Sequence, residues 1–205
     1  MRLIREVLVA LLCLAAIAAP SRSAQAADDE AVKTVQALYA SYESALKDGS
    51  RDVKARAEAI SGPMRESFDF PAMARVAVGP KWKSLPADQQ ASLTEAFVQH
   101  FIATYATRLS QAAGGTFEVT PKSEARAGNR VVRTRVSNAA GEDSDVDFVV
   151  NAGNRIQDVL LNGNVSEVAA LRTSFADPLK AGGADALQKF LRERTEKMLA
   201  AKPAP

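Results

Sequence analysis

Apolar residues in the first half of the chain recur at the three- and four-residue spacing of an amphipathic helix. Over 28–60 this spacing predicts two helices, separated at 47–50, where Gly49 suits a helix end and Ser50 a helix start. The Ser-Gly-Pro sequence at 61–63 is expected to end the second helix. The apolar face of the first helix comprises Val32, Val35, Leu38, Tyr39 and Tyr42.

A short apolar-rich helix and a long helix are predicted next, over 68–79 and 86–111. Gly79 closes the short helix, and Pro86 suits the first turn of the long one. The long helix is the clearest helical pattern in the chain because its large apolar residues fall four positions apart. These residues are Leu93, Phe97, Phe101, Tyr105 and Leu109, with Val98 and Ile102 widening the stripe.

Beyond residue 115 the hydrophobic period changes from helical to two residues, which indicates β-strands. Four short strands are predicted, joined by turns rich in Gly and Asn, and they form an antiparallel meander. Pro121 makes the first strand the edge of this sheet. Alternation along the strands gives the sheet one apolar and one charged face. The strands span 116–124, 130–137, 143–151 and 155–161.

The chain returns to helix over 169–175 and 184–199, with breaks expected at Asp177-Pro178 and at Gly182-Gly183. The order of helices, strands and helices predicts an α+β fold. In this fold, helices pack on a curved antiparallel sheet of about four strands, with an apolar cavity between helices and sheet. On composition alone, the apolar residues could equally fill the core without a cavity.

The first 26 residues have the pattern of a removable secretory signal. Arg2 and Arg5 precede an apolar run at 7–19, and Ala24-Gln25-Ala26 offers a cleavage site. The run of about 13 residues is short of the roughly 20 that span a bilayer as a helix, although a retained N-terminal anchor is the alternative. The sequence thus predicts a signal at 1–26, one domain at 27–200 and a disordered tail at 201–205.

Removing the predicted signal changes the charge and the cysteine count. The full chain has 26 basic and 24 acidic residues, and loss of three arginines and one glutamate leaves 23 of each. A near-neutral chain gives no indication of a nucleic-acid partner. Cys13, the sole cysteine, leaves with the signal, so the mature chain has neither a disulfide nor a thiol nucleophile.

No catalytic, cofactor or metal motif stands out in the remaining sequence. The single histidine, His100, falls within the long helix and is interpreted as structural or surface-exposed. Asp145, Asp147 and Asp158 lie on strands, and we expect such carboxylates to pair with Arg133 and Arg135 on neighbouring strands. The alternative is a small-pocket enzyme on a cone-shaped α+β fold, in which Asp147 or Asp158 acts with Tyr105 as acid and base.

A series of short motifs runs along the chain from residue 68 to residue 175. They are Phe68-Asp69-Phe70-Pro71-Ala72-Met73-Ala74, Gly79-Pro80-Lys81-Trp82, Gln89-Gln90, Phe97, Tyr105-Ala106, Leu109, Ile156-Gln157-Asp158-Val159, Asn162-Gly163-Asn164-Val165-Ser166, Arg172 and Phe175. In this order they resemble the MlaC-type periplasmic lipid carriers, also called toluene-tolerance auxiliary proteins. Residues 165–169 are more similar to the hopanoid-associated, HpnM-like branch, and Asn154-Arg155 stand where many members have an aromatic residue.

This resemblance implies a periplasmic protein, not an enzyme, that holds a phospholipid or a hopanoid between helices and sheet. It further implies docking to an outer-membrane lipoprotein complex and an inner-membrane transporter. A domain that binds no ligand and acts through an exposed apolar patch is a third possibility. The candidate lipid-binding residues are Phe68, Phe70, Met73, Val76, Trp82, Phe97, Phe101, Ile102, Tyr105, Phe148, Val150, Val159 and Leu161.

Overall fold

The structure, a computed structural model, describes residues 22–47 and 52–201. Most of the predicted export signal lies outside these ranges, as do the predicted helix break and most of the tail. Helices and strands follow in the predicted order. They are α1 (Arg22–Lys47), α2 (Val53–Ser67), α3 (Phe70–Val78), α4 (Ala87–Leu109), β1 (Thr116–Arg126), β2 (Asn129–Ser137), β3 (Asp143–Val150), β4 (Ile156–Leu161), β5 (Val165–Ser166) and α5 (Glu167–Leu199), with short 3-10 turns at Gly79–Ser84 and Ser110–Ala112.

The sheet is antiparallel, with its strands in the order β1-β2-β3-β4-β5. The predicted meander is confirmed, and β1 is an edge strand as Pro121 indicated. The β1–β2 register shifts between Val119 and Ser123, on either side of that proline. The two-residue strand β5 was missed because it is too short to show a hydrophobic period. The helices pack against one face of this sheet, which makes the fold α+β.

The long-helix prediction is also confirmed. Every fourth residue of α4 from Leu93 to Leu109 is buried, together with Val98 and Ile102. The predicted end of the short helix is correct, because α3 stops at Val78 and its C-cap, Gly79, adopts a φ of +75° that favours glycine. These two helices carry most of the aromatic core.

Two predicted helix ends are wrong, and both were placed at a proline. Helix α2 continues through Pro63 to Ser67, and α5 continues through Pro178. Proline removes one backbone hydrogen bond inside a helix, at a cost of about 3 kcal/mol. Met64 and Leu179, the residues that follow the two prolines, are buried. Burial of apolar side chains on both sides of each proline offsets the lost hydrogen bond.

The predicted break at Gly182-Gly183 is correct. Gly182 has φ −161° and ψ 27°, and Gly183 has φ +66° and ψ −146°, so α5 is kinked there. Lys81 Nζ donates a hydrogen bond of 3.0 Å to the carbonyl of Leu179, four residues before Gly183.

The junction of α2 and α3 is fastened to β4 by polar contacts. Asp69 N donates to Ile156 O at 2.7 Å, and the Asp69 side chain caps α3 at Ala72 N. Arg155 Nη2 donates to the carbonyl of Arg65 at 2.7 Å and to that of Phe68. Arg155 therefore holds the C-terminal end of α2 against the sheet.

Candidate functional site

A cavity of about 480 Å³ opens between α1, the C-terminal end of α4 and the sheet. Its inner wall is aromatic and aliphatic, and its exposed rim is polar. This combination of an apolar interior with a few polar groups is typical of ligand pockets. The inner wall comprises Tyr39, Tyr42, Tyr105, Leu109, Ala112, Phe117, Val136, Val146, Phe148 and Leu161, and Arg108, Gln111, Asn138, Glu142, Ser144, Asp145 and Asn162 complete the lining.

Rings from helix and sheet meet in the wall of this cavity. Tyr39 of α1 has its ring centroid 4.9 Å from that of Phe117 on β1 and 5.5 Å from that of Phe148 on β3. Tyr42, one helical turn later, lies 6.2 Å from Tyr105 of α4. Aromatic pairs at these distances are mutually stabilising, so the apolar wall is a defined surface.

The three tyrosine hydroxyls in the wall have different partners. The hydroxyls of Tyr39 and Thr134 share a hydrogen bond of 2.6 Å, and Tyr105 donates to Glu167 Oε2 at 2.7 Å. The Tyr42 hydroxyl is buried and has no hydrogen-bond partner among residues 22–47 and 52–201. Burial raises the pKa of Tyr42 well above its usual value, so the hydroxyl keeps its proton and is available to donate.

An ion pair stands at one side of the cavity. Arg108 Nη1 lies 2.5 Å from Glu167 Oε1; the Glu167 side chain is only 5% exposed, while that of Arg108 is 45% exposed. Glu167 also occupies the first turn of α5, where negative charge is favoured. The pair therefore joins the end of α4 to the start of α5 and places a guanidinium at the cavity wall.

The predicted pairing of carboxylates with arginines on neighbouring strands is confirmed for two of the three aspartates. Asp147 accepts from Arg133 Nη1 at 2.6 Å, and Asp145 from Arg135 Nε at 3.5 Å. Asp158 instead accepts from Ser166 and from the backbone of Val168 at the start of α5.

The acid–base alternative required Tyr105 to act with Asp147 or Asp158. Tyr105 instead donates its hydrogen bond to Glu167, a residue that the sequence interpretation did not consider. Both aspartates are engaged in the contacts described above. This geometry does not assemble the proposed acid–base pair.

Three of the predicted lipid-binding residues, Tyr105, Phe148 and Leu161, line the cavity. Trp82 packs against the core, and Val76 is half-exposed on α3. Lipid contact by any of the predicted residues, in the cavity wall or away from it, stays a prediction. The others lie in the hydrophobic core: Phe68, Phe70, Met73, Phe97, Phe101, Ile102, Val150 and Val159.

Sequence reasoning did not select Tyr39, Tyr42, Phe117 or Arg108 as site residues. The two tyrosines carried a usable signal, because a polar hydroxyl on the buried face of a helix needs a partner. Arg108 carried another, since it lies in the last turn of α4 and is the first cation after Tyr105. Without the three-dimensional structure, neither feature of the sequence distinguishes a residue that lines a cavity from one that packs in the core.

No group of three or more His, Cys, Asp or Glu side chains within the described ranges is arranged to hold a metal ion. In the same part of the chain, no helix is both long and apolar enough to cross a membrane.

Comparisons with known proteins place the cavity in a wider context. A family model described as MlaC protein matches residues 32–193. A phospholipid-binding protein from Ralstonia solanacearum, solved in complex with a phospholipid, has a similar structure, with a TM-score of 0.68 and 26% sequence identity over 84% of this chain and 99% of that chain. A search of curated protein sequences gave no significant match. All residues lining the cavity lie within the matched range.

Proposed function

Because this chain belongs to the MlaC family, we propose that it binds a phospholipid in the cavity between α1, α4 and the sheet and carries it through the periplasm. The observation that carries the proposal is the aromatic cavity with a polar rim, on a fold shared with a protein solved with a phospholipid. A carrier needs an apolar enclosure for acyl chains and contact with water at the headgroup.

The energetics of lipid transfer explain why such a carrier is needed. Exposing one acyl chain of about 16 carbons to water costs on the order of 13 kcal/mol, at about 0.8 kcal/mol per methylene. Free diffusion of such a lipid through an aqueous compartment is negligible at that cost. Enclosing the chain removes it from water, so a protein without catalytic groups suffices for the task.

We propose that acyl chains reach past the cavity along the aromatic core of α4. Tyr105, in the cavity wall, stacks on Phe101 at 4.7 Å, and Phe101 contacts Phe97 at 5.8 Å and Phe68 at 5.5 Å. All four are among the candidate lipid-binding residues predicted from the sequence. Movement of this ring stack would lengthen the cavity without exposing polar backbone.

Tyr42 favours a glycerophospholipid over a hopanoid. A buried hydroxyl without a partner costs about 1–3 kcal/mol, which a ligand oxygen can recover by accepting its hydrogen bond. The ester carbonyls of a glycerophospholipid are such acceptors, whereas a polycyclic hydrocarbon skeleton has none. The similarity of residues 165–169 to the hopanoid-associated branch is the competing indication.

The compartment and the partners are also part of the proposal. The predicted signal at 1–26 directs the chain out of the cytoplasm, and family resemblance indicates exchange with an outer-membrane lipoprotein complex and an inner-membrane transporter. We propose that docking is transient, since a shuttle must leave each complex.

The test is to express the full chain, purify it from the periplasm and identify co-purified lipid by mass spectrometry. We expect stoichiometric ester-linked phospholipid. Val136→Trp, which places a bulky ring in the cavity wall, should remove most of it. The matched control is Val165→Trp at an exposed position of β5, which should retain lipid.

Circular dichroism of both variants establishes that they are folded. A folded wild-type protein without lipid, or equal lipid in both variants, would refute binding in this cavity. Recovery of hopanoid without ester lipid from a hopanoid-producing host would refute the argument from Tyr42.

A further inference from the structure

A second cavity, of about 540 Å³, lies between the C-terminal half of α4 and residues from both ends of α5. Its wall from α4 includes His100, Phe101 and Thr104, and its wall from α5 includes Leu171 and Met198. Arg108 lines both this cavity and the first one. The second cavity therefore lies on the other side of the Arg108–Glu167 ion pair.

Positive charge dominates this second cavity. Arg108, Arg194 and Lys197 line it, and Glu167 is the carboxylate among its lining residues. Glu167 already accepts hydrogen bonds from Arg108 and Tyr105. Within residues 22–47 and 52–201, neither Arg194 nor Lys197 has a carboxylate partner, and Arg194 lies over the ring of Phe190 at 4.6 Å.

His100 adds a second, independent feature. It is 9% exposed, lines the cavity, and its Nδ1 has no hydrogen-bond partner in the described part of the chain. Burial, together with Arg194 and Arg108, lowers the pKa of His100 to about 4, so the ring is neutral at pH 7. A neutral imidazole retains one N–H that can donate to an anion.

We propose that this cavity is a second binding site, which holds a phosphate group on Arg194, Lys197 and Arg108 with the His100 ring in its wall. Cations supply charge-assisted hydrogen bonds to phosphate oxygens, and guanidinium groups do so in bidentate geometry. The apolar walls formed by Phe101, Leu171 and Met198 suit a phosphate attached to an apolar body. A free phosphate ion and a lipid headgroup share this chemistry.

His100 is the single histidine in the chain and lines this cavity but not the first, so its ring signals are assigned without ambiguity. The experiment follows the His100 ring by ¹H–¹³C NMR during titration of the full protein with inorganic phosphate, and separately with lysophosphatidic acid below its micelle concentration. Bound phosphate offsets the two guanidinium groups, so the pKa of His100 should rise. A titration with sodium chloride at matched ionic strength measures the effect of electrostatic screening on the His100 signals. A titration with a monoacylglycerol of the same chain length measures the effect of binding an acyl chain without a phosphate.

The test variant is Arg194→Gln/Lys197→Gln, and the matched control is Lys189→Gln/Arg192→Gln, which removes the same charge from exposed positions of the same helix. We expect the test variant to raise the dissociation constant about tenfold, equivalent to about 1.4 kcal/mol. The control should bind as the wild type does. Both variants change exposed side chains, and NMR reports their folding directly.

Saturable binding of both probes identifies free phosphate as a sufficient ligand, and binding of lysophosphatidic acid alone identifies a lipid headgroup. A response no larger than that to sodium chloride, an equal response to monoacylglycerol, or an unaffected test variant would each overturn the proposal. Lipid recovered from the first cavity is assayed separately, so failure here leaves the carrier proposal standing.

Discussion

Replacing Arg108 with leucine should lower the free energy of unfolding, because the buried Glu167 carboxylate would lose its ion-pair partner. Glu167 is 5% exposed and loses its counter-ion, although Tyr105 continues to donate to it. Removing one partner from a fully buried ion pair costs about 3–5 kcal/mol. Arg108 is 45% exposed and Glu167 lies in the first turn of α5, where the helix dipole favours negative charge, so we expect about 2–4 kcal/mol.

A second substitution distinguishes a buried charge from lost packing. Glu167→Gln alone should cost about 1–2 kcal/mol, because it weakens a charge-assisted hydrogen bond while the amide oxygen still accepts from Tyr105. In the Arg108→Leu background the same change should restore more than half of the lost stability, since no unpaired carboxylate remains. The double variant is then more stable than Arg108→Leu.

The assay is urea denaturation at pH 7, followed by fluorescence of Trp82, the single tryptophan. With an m-value of about 2 kcal/mol per molar, Arg108→Leu should shift the midpoint by roughly 1–2 M. If Glu167→Gln destabilises both backgrounds equally, the two residues are not coupled and the reasoning fails.

Two further predictions concern acid stability and the kink in α5. Burial raises the pKa of Asp28, but hydrogen bonds from Ser123 and Arg130 outweigh this effect, so the pKa in the folded protein is lowered. Ionised Asp28 therefore stabilises the protein above about pH 3.9, the pKa of an aspartate in the unfolded chain. This stabilisation is lost as the pH falls through the lower folded pKa. Asp28→Asn should cost about 1–3 kcal/mol at pH 7 and much less at pH 2 in urea titrations; an equal loss at both values would contradict this. Gly183→Ala should destabilise the protein by about 1–3 kcal/mol, because Gly183 has φ +66°. Gly62→Ala lies inside α2 with open space around it and should stabilise the protein by about 0.5–1 kcal/mol. Equal thermal unfolding temperatures for the two variants would contradict this.

The elements that sequence predicted well are those in which local pattern and tertiary packing agree. In α4 every fourth residue from Leu93 to Leu109 is large and apolar, and all five of these residues are buried in the core. In β2 and β3 the alternation of apolar and charged residues matches the two faces of one sheet. The helix ends predicted at Pro63 and Pro178 were wrong. The free-energy cost of a proline inside a helix can be judged from the local sequence, but the burial that offsets this cost depends on residues distant in sequence.

The candidate site was harder to predict for a different reason. Periodicity identifies which side chains are buried but not which of them border a cavity, because core residues and cavity-lining residues are both shielded from solvent. Phe101 and Tyr105 occupy equivalent positions on α4, yet only Tyr105 lines the first cavity. The difference arises from Tyr39 and Tyr42, which approach from α1 more than sixty residues away in sequence.

Glu167 connects the stability of the fold with both cavities. Its carboxylate accepts from Tyr105, which lines the first cavity, and from Arg108, which lines both. Apolar side chains alone could hold α4 and α5 together, but they would not fix the position of the Arg108 guanidinium between the two helices. A buried carboxylate with two donors instead fixes the guanidinium in place, since moving it would leave the carboxylate unpaired. The position of Arg108 in both cavities is therefore set by the same contact that the Arg108→Leu and Glu167→Gln variants measure.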